Sequence, residues 1–126
     1  MLMISQLSPA GFTAWRDNNA STADSAVPAS LPVVLDVREP WEVQTASVRE
    51  EGFKLVHIPM REISGRLAEL QGTHGTRQPI ACLCHHGMRS LQVVQYLMQG
   101  GFTQVVNLQG GIDAWSQQVD PSVPRY

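Results

Sequence analysis

The residues best able to do chemistry lie in one stretch, Ile80-Ala81-Cys82-Leu83-Cys84-His85-His86-Gly87-Met88-Arg89-Ser90. A short apolar run leads into Cys84, and Arg89 and Ser90 follow it closely. Leu91, Val94, Leu97 and Met98 then share one face at helical spacing, and Gly100-Gly101 closes the run. The pattern predicts a strand, a tight loop and a helix N-terminus. A thiol in such a loop sits among backbone N–H groups that have no intrahelical partner, at the positive end of the helix dipole. Both features favour a thiolate and any anion brought against it. The loop therefore suits a nucleophilic Cys84 acting on an anionic substrate.

Three thiol chemistries compete for this stretch. Metal binding would draw on Cys82, Cys84, His85 and His86. Structural zinc wants a second ligand pair elsewhere, and His57 and His74 lack ligand spacing to each other, so no metal site is assigned. Cys82, inside the apolar run, reads as a small core residue. Phosphoryl transfer is the second chemistry. Cysteine phosphatases carry C-x₅-R-[ST], whereas Cys84-x₄-Arg89-Ser90 is one residue shorter and offers a smaller cradle with fewer amides. Leu83 stands where a histidine would precede the cysteine, and no Asp is obviously placed as a general acid, with Asp113 left open. Sulfur transfer through a cysteine persulfide is the third.

The neighbours of Cys84 divide by residue type. Gly87 supplies conformational freedom or close approach of substrate. Met88 is a wall contact or a gap filler. Arg89 closes the loop, which fits anion binding or bracing. His85 and His86 are either contributors through their rings or exposed residues whose backbone matters more. Asp36 and Arg38, at the end of another apolar run, read as a structural pair. Trp15, Trp41 and Trp115 are read as core.

These residues need elements to hold them. The 126 residues suit one domain, 1–126, with an ordinary core. A net charge of −2 argues against a nucleic-acid partner held by bulk charge. No apolar run approaches the ~20 residues that span a membrane, and residues 1–6 do not read as a signal peptide. Two cysteines spaced two apart make a disulfide scaffold unsuitable, so a reducing, cytoplasmic setting is expected.

A short strand is expected around Ile4, then a helix opened by Ser8-Pro9 and ending near Asp17. Residues 18–30 read as an exposed loop. Strands are expected at 33–37, 54–58, 80–83 and 104–108. Helices are expected at 41–48, around Ile63, Leu67 and Leu70, after the Cys84 loop, and around Ile112 and Trp115. Residues 71–79 read as loop and 117–126 as an extended tail. Strands alternating with helices imply an α/β fold with a mainly parallel sheet, whose strand C-termini carry the site.

Three motifs in order carry a family resemblance: Leu35-Asp36-Val37-Arg38-Glu39, Cys84-His85-His86-Gly87-Met88-Arg89-Ser90, and Asn107-Leu108-Gln109-Gly110-Gly111-Ile112-Asp113-Ala114-Trp115. With them the chain resembles the single-domain rhodanese-like (thiosulfate sulfurtransferase-like) family. The resemblance implies a five-stranded, mainly parallel sheet flanked by helices on both faces. It implies a sulfurtransferase that passes sulfane sulfur from a donor such as thiosulfate to Cys84, and then to a nucleophilic acceptor. Residues 85–90 would surround the sulfur and substrate, Asp36 and Arg38 would support the site, and no cofactor is required. The implied partners are a small anionic sulfur donor and a thiol or cyanide-like acceptor, which includes a protein thiol. A binding or regulatory module on the same fold is the alternative from another class. The region of the family's Gly-His-Ile-Pro-Gly-Ala stretch is occupied here by Glu51-Gly52-Phe53-Lys54-Leu55-Val56-His57-Ile58-Pro59.

Overall fold

The runs Val33-Val34-Leu35-Asp36 and Ile80-Ala81-Cys82-Leu83 are buried at every position, and strands of that kind must be covered on both faces. The computed structural model, which describes residues 4–20 and 30–126, sets them side by side inside a sheet. In chain order the elements are β1 (Ser5–Leu7), α1 (Phe12–Asn19), β2 (Val33–Asp36), α2 (Pro40–Thr45), β3 (Lys54–His57), α3 (Leu67–His74), β4 (Ile80–Leu83), α4 (Met88–Gln99), β5 (Val105–Leu108) and α5 (Gly111–Gln118). The five strands pair in the order β1-β5-β4-β2-β3, and every pairing is parallel.

Alternation along the strands sends side chains to two cores. Val33, Leu35, Ile80 and Cys82 pack with Leu70 of α3 and Val93, Val94 and Leu97 of α4. Val34, Ala81 and Leu83 meet Phe12 of α1 and Ile112 and Trp115 of α5 on the other face. Each such aliphatic or aromatic side chain contributes roughly 1.5–3 kcal/mol on burial. Phe12 lies edge-on to both Phe53 and Trp115, with ring centroids 5.3 and 4.7 Å away. Trp41 departs from the expected core role: it is 62% exposed on α2.

Several boundaries differ from the sequence reading, each for a local reason. Ser8 caps a short 3-10 turn over Pro9–Gly11 before α1, and α1 runs on to Asn19. α2 stops at Thr45, and Ala46 is extended, its carbonyl taken by the Arg38 guanidinium at 2.8 Å. Two 3-10 turns, Met60–Glu62 and Ser64–Arg66, replace the first part of the helix expected at Ile63. α3 then continues through residues 71–74, read from Gly72 as loop, and ends at Gly75, whose φ is +79°. Gln71 anchors that last turn by donating to the Gly100 carbonyl at 2.7 Å.

Residues 117 and 118 belong to α5, so the tail begins later than expected. It is also not a free extension. Val123 is buried in the core under α5, and Tyr126 folds back onto the Cys84 loop. Of the loop expected at 18–30, residues 18 and 19 complete α1 and residues 21–29 lie outside the described residues.

Candidate active site

Parallel register brings the strand C-termini to one edge. Asp36 pairs with Leu83 and with His57, so Arg38, Cys84 and the chain after Leu108 emerge together. Cys84 is the first residue past β4, and α4 begins at Met88. Turning from strand to helix in so few residues requires Gly87 at φ +96°, where a Cβ would lie 3.0 Å from the Gly110 nitrogen. The turn aims the Gly87 N–H at Cys84 Sγ, 3.0 Å away.

The start of α5 completes the cradle from outside. Ile112 N–H donates to the Cys84 carbonyl at 2.9 Å, and Asp113 N–H donates to the His85 carbonyl at 3.1 Å. A Cβ on Gly111 would lie 2.4 Å from each of those oxygens, so only glycine admits this contact. With the loop carbonyls held by α5, the amides of Met88, Arg89 and Ser90 remain as the first turn of α4, which has no intrahelical acceptors for them. Unpartnered N–H groups at a helix start favour an anion.

Cys84 is only 1% exposed, yet its sulfur has polar company. Ser90 Oγ lies 3.3 Å from Sγ and 2.5 Å from Asn107 Oδ1. A hydroxyl carries one proton. Ser90 therefore donates either to Asn107, accepting from the thiol, or to the sulfur once it is a thiolate. Asn107 in turn donates to the Gly87 carbonyl at 3.1 Å and to Gln6 Oε1 at 2.9 Å, which ties β1 and β5 to the loop. Cys82, two residues back, is fully enclosed in apolar surroundings, and burial first, then the nearby Cys84, pushes its thiol well above the usual range.

A charged network braces the other side. Arg38 is fully buried, and all five of its guanidinium donors are used. Nε and Nη2 hold Asp36 at 2.9 and 2.6 Å, Nη2 also reaches the Ala46 carbonyl at 2.8 Å, and Nη1 reaches the Glu42 carbonyl at 3.2 Å and Tyr126 Oη at 2.9 Å. Burial opposes its charge, and Asp36 with Tyr126 outweighs that, so its pKa is raised. Arg89 grips Glu42 through both carboxylate oxygens, at 2.6 and 2.8 Å. Glu42 is buried, and the Arg89 guanidinium, helped by the Tyr126 hydroxyl at 2.7 Å, pulls its pKa down to about 2. Burial pushes the Tyr126 phenol up to about 12, so it donates to Glu42 as a neutral hydroxyl.

Tyr126 also stacks on His85, with ring centroids 3.9 Å apart and planes 8° apart, and His85 stacks on His86 at 3.9 Å. Arg125 binds Asp113 at 2.9 Å, and His86 Nδ1 lies 4.0 Å from the same carboxylate. Met88, 68% exposed, stands at the loop's outer edge. Among the described residues no three His, Cys, Asp or Glu side chains are arranged to hold a metal ion, and no helix is long and apolar enough to cross a membrane.

A strand-end cysteine, a glycine-turned loop and a helix start inside a five-stranded parallel sheet match a known domain: the family model of the rhodanese-like domain matches residues 19–118. The chain belongs to the rhodanese-like domain family. It is 39% identical over 93 residues to rhodanese-like/PpiC domain-containing protein 12, chloroplastic, of Arabidopsis thaliana; the match covers 74% of this chain and 30% of that protein. The chain thus spans less than a third of that relative's length. It is 29% identical over 99 residues to the thiosulfate sulfurtransferase GlpE of Pseudoalteromonas translucida, covering 76% of this chain and 94% of that one. The crystal structure of a rhodanese-related protein from Thermoplasma volcanium superposes with a TM-score of 0.69 at 25% identity, covering 97% of this chain and 99% of that one. Relatives of this rhodanese-like domain thus include sulfurtransferases.

Within the rhodanese-like domain, of the sequence-selected residues 85–90 the Gly87 N–H and the Ser90 hydroxyl meet the Cys84 sulfur, and Asp36 and Arg38 pair at the neighbouring strand end. Arg89 spends its guanidinium on Glu42, so bracing is its observed work. Sequence reasoning passed over Glu42, Asn107, Gln6 and Tyr126. Asn107 stood inside a quoted motif without a role. Glu42 had a weak signal, since Glu39-x-x-Glu42 ahead of a helix resembles a capping box, and the Glu39 N–H does donate to Glu42 Oε1 at 3.2 Å. Nothing local in the sequence marks Tyr126.

Proposed function

We propose that this rhodanese-like domain is a sulfurtransferase that carries sulfane sulfur as a persulfide on Cys84. The observation that carries this reading is the seat of Cys84 Sγ just before α4: it accepts the Gly87 N–H at 3.0 Å and lies 3.3 Å from the Ser90 hydroxyl. Such a seat stabilises a thiolate and, after transfer, the outer sulfur of a persulfide. The thiolate attacks the terminal sulfur of the donor; the donor's S–S bond breaks and its leaving group departs with the electron pair. A thiol or cyanide-like acceptor, a protein thiol included, then takes the outer sulfur and returns the thiolate. Residues 85–90 hold the substrate chiefly through backbone N–H groups, with Arg89 bracing them and Asp36–Arg38 fixing the neighbouring strand end. No metal or organic cofactor enters this scheme. Both cysteines are free, which suits a reducing compartment such as the cytoplasm.

Intact-protein mass spectrometry after incubation with thiosulfate, and separately with an organic persulfide, tests the reading. One added sulfur on Cys84, removed by cyanide and absent from Cys84→Ser, is expected. Failure of both donors to load Cys84 overturns it.

A further inference from the structure

A cavity of about 310 Å³ opens on the face of the sheet covered by α1 and α5, and no residue of the Cys84 loop lines it. α5 touches that loop with its first turn, through the Ile112 and Asp113 N–H groups, but meets the cavity through Trp115 and Val119. At about 1.5 Å of rise per residue, Val119 lies about 12 Å along the axis from Gly111. The cavity is therefore separate from the sulfur site, and its volume is in the range that holds small organic ligands.

Its inner wall is aromatic. Phe12, Phe53 and Trp115 are each at most 5% exposed and meet edge-on in every pairing, with centroids 5.3, 4.7 and 6.4 Å apart. Rings set at such angles offer a flat apolar group both edges and faces to pack on. The Trp115 indole N–H is buried and has no acceptor among the described residues. Buried polar groups are nearly always paired, so an orphan donor in a cavity wall calls for an acceptor brought from outside the chain.

The mouth carries guanidinium donors that the protein does not use. Arg16 donates through Nε to Asp17 and through Nη1 to the Glu51 carbonyl, both at 3.0 Å, and its Nη2 has no acceptor among the described residues. Arg49 donates through Nη2 to Ser122 Oγ at 2.5 Å, and its Nε and Nη1 have no acceptor there either. Asp120 is already engaged: Oδ1 accepts from the Ser122 N–H and hydroxyl at 3.0 and 2.6 Å, and Oδ2 lies 3.7 Å from Arg49. The exposed Glu51 carboxylate is the opposing charge. Unspent guanidinium N–H groups suit a carboxylate, which accepts two parallel hydrogen bonds.

We infer that this cavity is a second ligand site, for a small organic acid that joins a flat ring bearing a hydrogen-bond acceptor to a carboxylate. The ring packs on Phe12, Phe53 and Trp115, its acceptor answers the indole N–H, and the carboxylate meets Arg16 and Arg49. The site is independent of the chemistry at Cys84.

Titration of the native chain with para-hydroxyphenylpropionate, followed by proton–nitrogen correlation NMR, tests this. Tyramine, with the same ring and the opposite charge, is the control. Trp115→Phe identifies which indole signal belongs to Trp115. That signal should shift saturably with the acid while the Trp41 indole stays still, and tyramine should bind at least fivefold more weakly. Arg49→Gln should weaken the acid at least threefold, and Glu51→Gln should tighten it. Opposite signs at two exposed positions separate charge recognition from a general loosening of the fold. The inference is overturned if the Trp115 signal does not move, if the shifts fall on the Cys84 loop instead, or if tyramine binds as tightly as the acid. It is equally overturned if Arg49→Gln leaves the affinity unchanged or Glu51→Gln fails to raise it.

Discussion

Replacing Glu42 with glutamine tests the brace behind the Cys84 loop. The substitution keeps the side chain's shape and removes its charge. In the folded protein Glu42 titrates at about 2, against an ordinary value of 4.5, chiefly because Arg89 holds it. A depressed carboxylate pKa contributes stability that is present above the unfolded value and lost as pH falls towards the folded one. The shift corresponds to about 3 kcal/mol at neutral pH, since each pKa unit is worth about 1.4 kcal/mol. At pH 3 the same linkage leaves about 1 kcal/mol. A severed buried pair typically costs about 3–5 kcal/mol, and Arg89 can rehydrate, so the low end applies. Urea unfolding of the native chain and of Glu42→Gln should therefore differ by about 3 kcal/mol at pH 7, and the gap should close by about 2 kcal/mol at pH 3. The other carboxylates titrate in both proteins and drop out of the difference. A gap that stays constant with pH would refute the reasoning, because it would show that Glu42 contributes shape and not charge.

The remaining predictions concern the sulfur and its surroundings. At neutral pH an alkylating reagent should modify Cys84 and spare Cys82, whose burial holds it protonated; Cys82→Ala should retain sulfur transfer, and label on Cys82 in the native chain would contradict this. Tyr126→Phe should cost about 1–3 kcal/mol in thermal or urea unfolding, because it removes the hydroxyl between buried Arg38 and Glu42. Tyr126→Ala should cost more, since the stack on His85 goes too; equal losses would show that the ring contributes nothing. A glycine inserted between Gly87 and Met88 should lower sulfur transfer at least tenfold without conferring aryl-phosphate turnover. Robust Cys84-dependent phosphatase activity in the native chain would count against a loop sized for sulfur.

Much of the site was legible because it is local. A buried apolar run, a cysteine, a glycine and a helical repeat lie within residues 80–98, so strand, turn and helix start follow from short-range sterics and hydrogen bonding. The same holds for β2, whose apolar run ends in Asp36 and Arg38, two residues apart and paired across that short distance. Less of the chain between β3 and β4 was legible, because Gly72 is tolerated inside α3 where packing and Gln71 hold the last turn.

What joins the site to the rest of the molecule was decided by the tertiary structure. Glu42 and Arg89 are 47 residues apart, Ser90 and Asn107 are 17 apart, and Tyr126 meets Glu42 across 84 residues. No pattern in the chain singles out such partners, because each pairing exists only after parallel strands have brought their ends to one edge. The electrostatic character of the site belongs to that level as well. Residue types announce arginines near a cysteine, but only the folded arrangement, where Asp36, Glu42 and Asp113 reach them, decides that those charges are already neutralised.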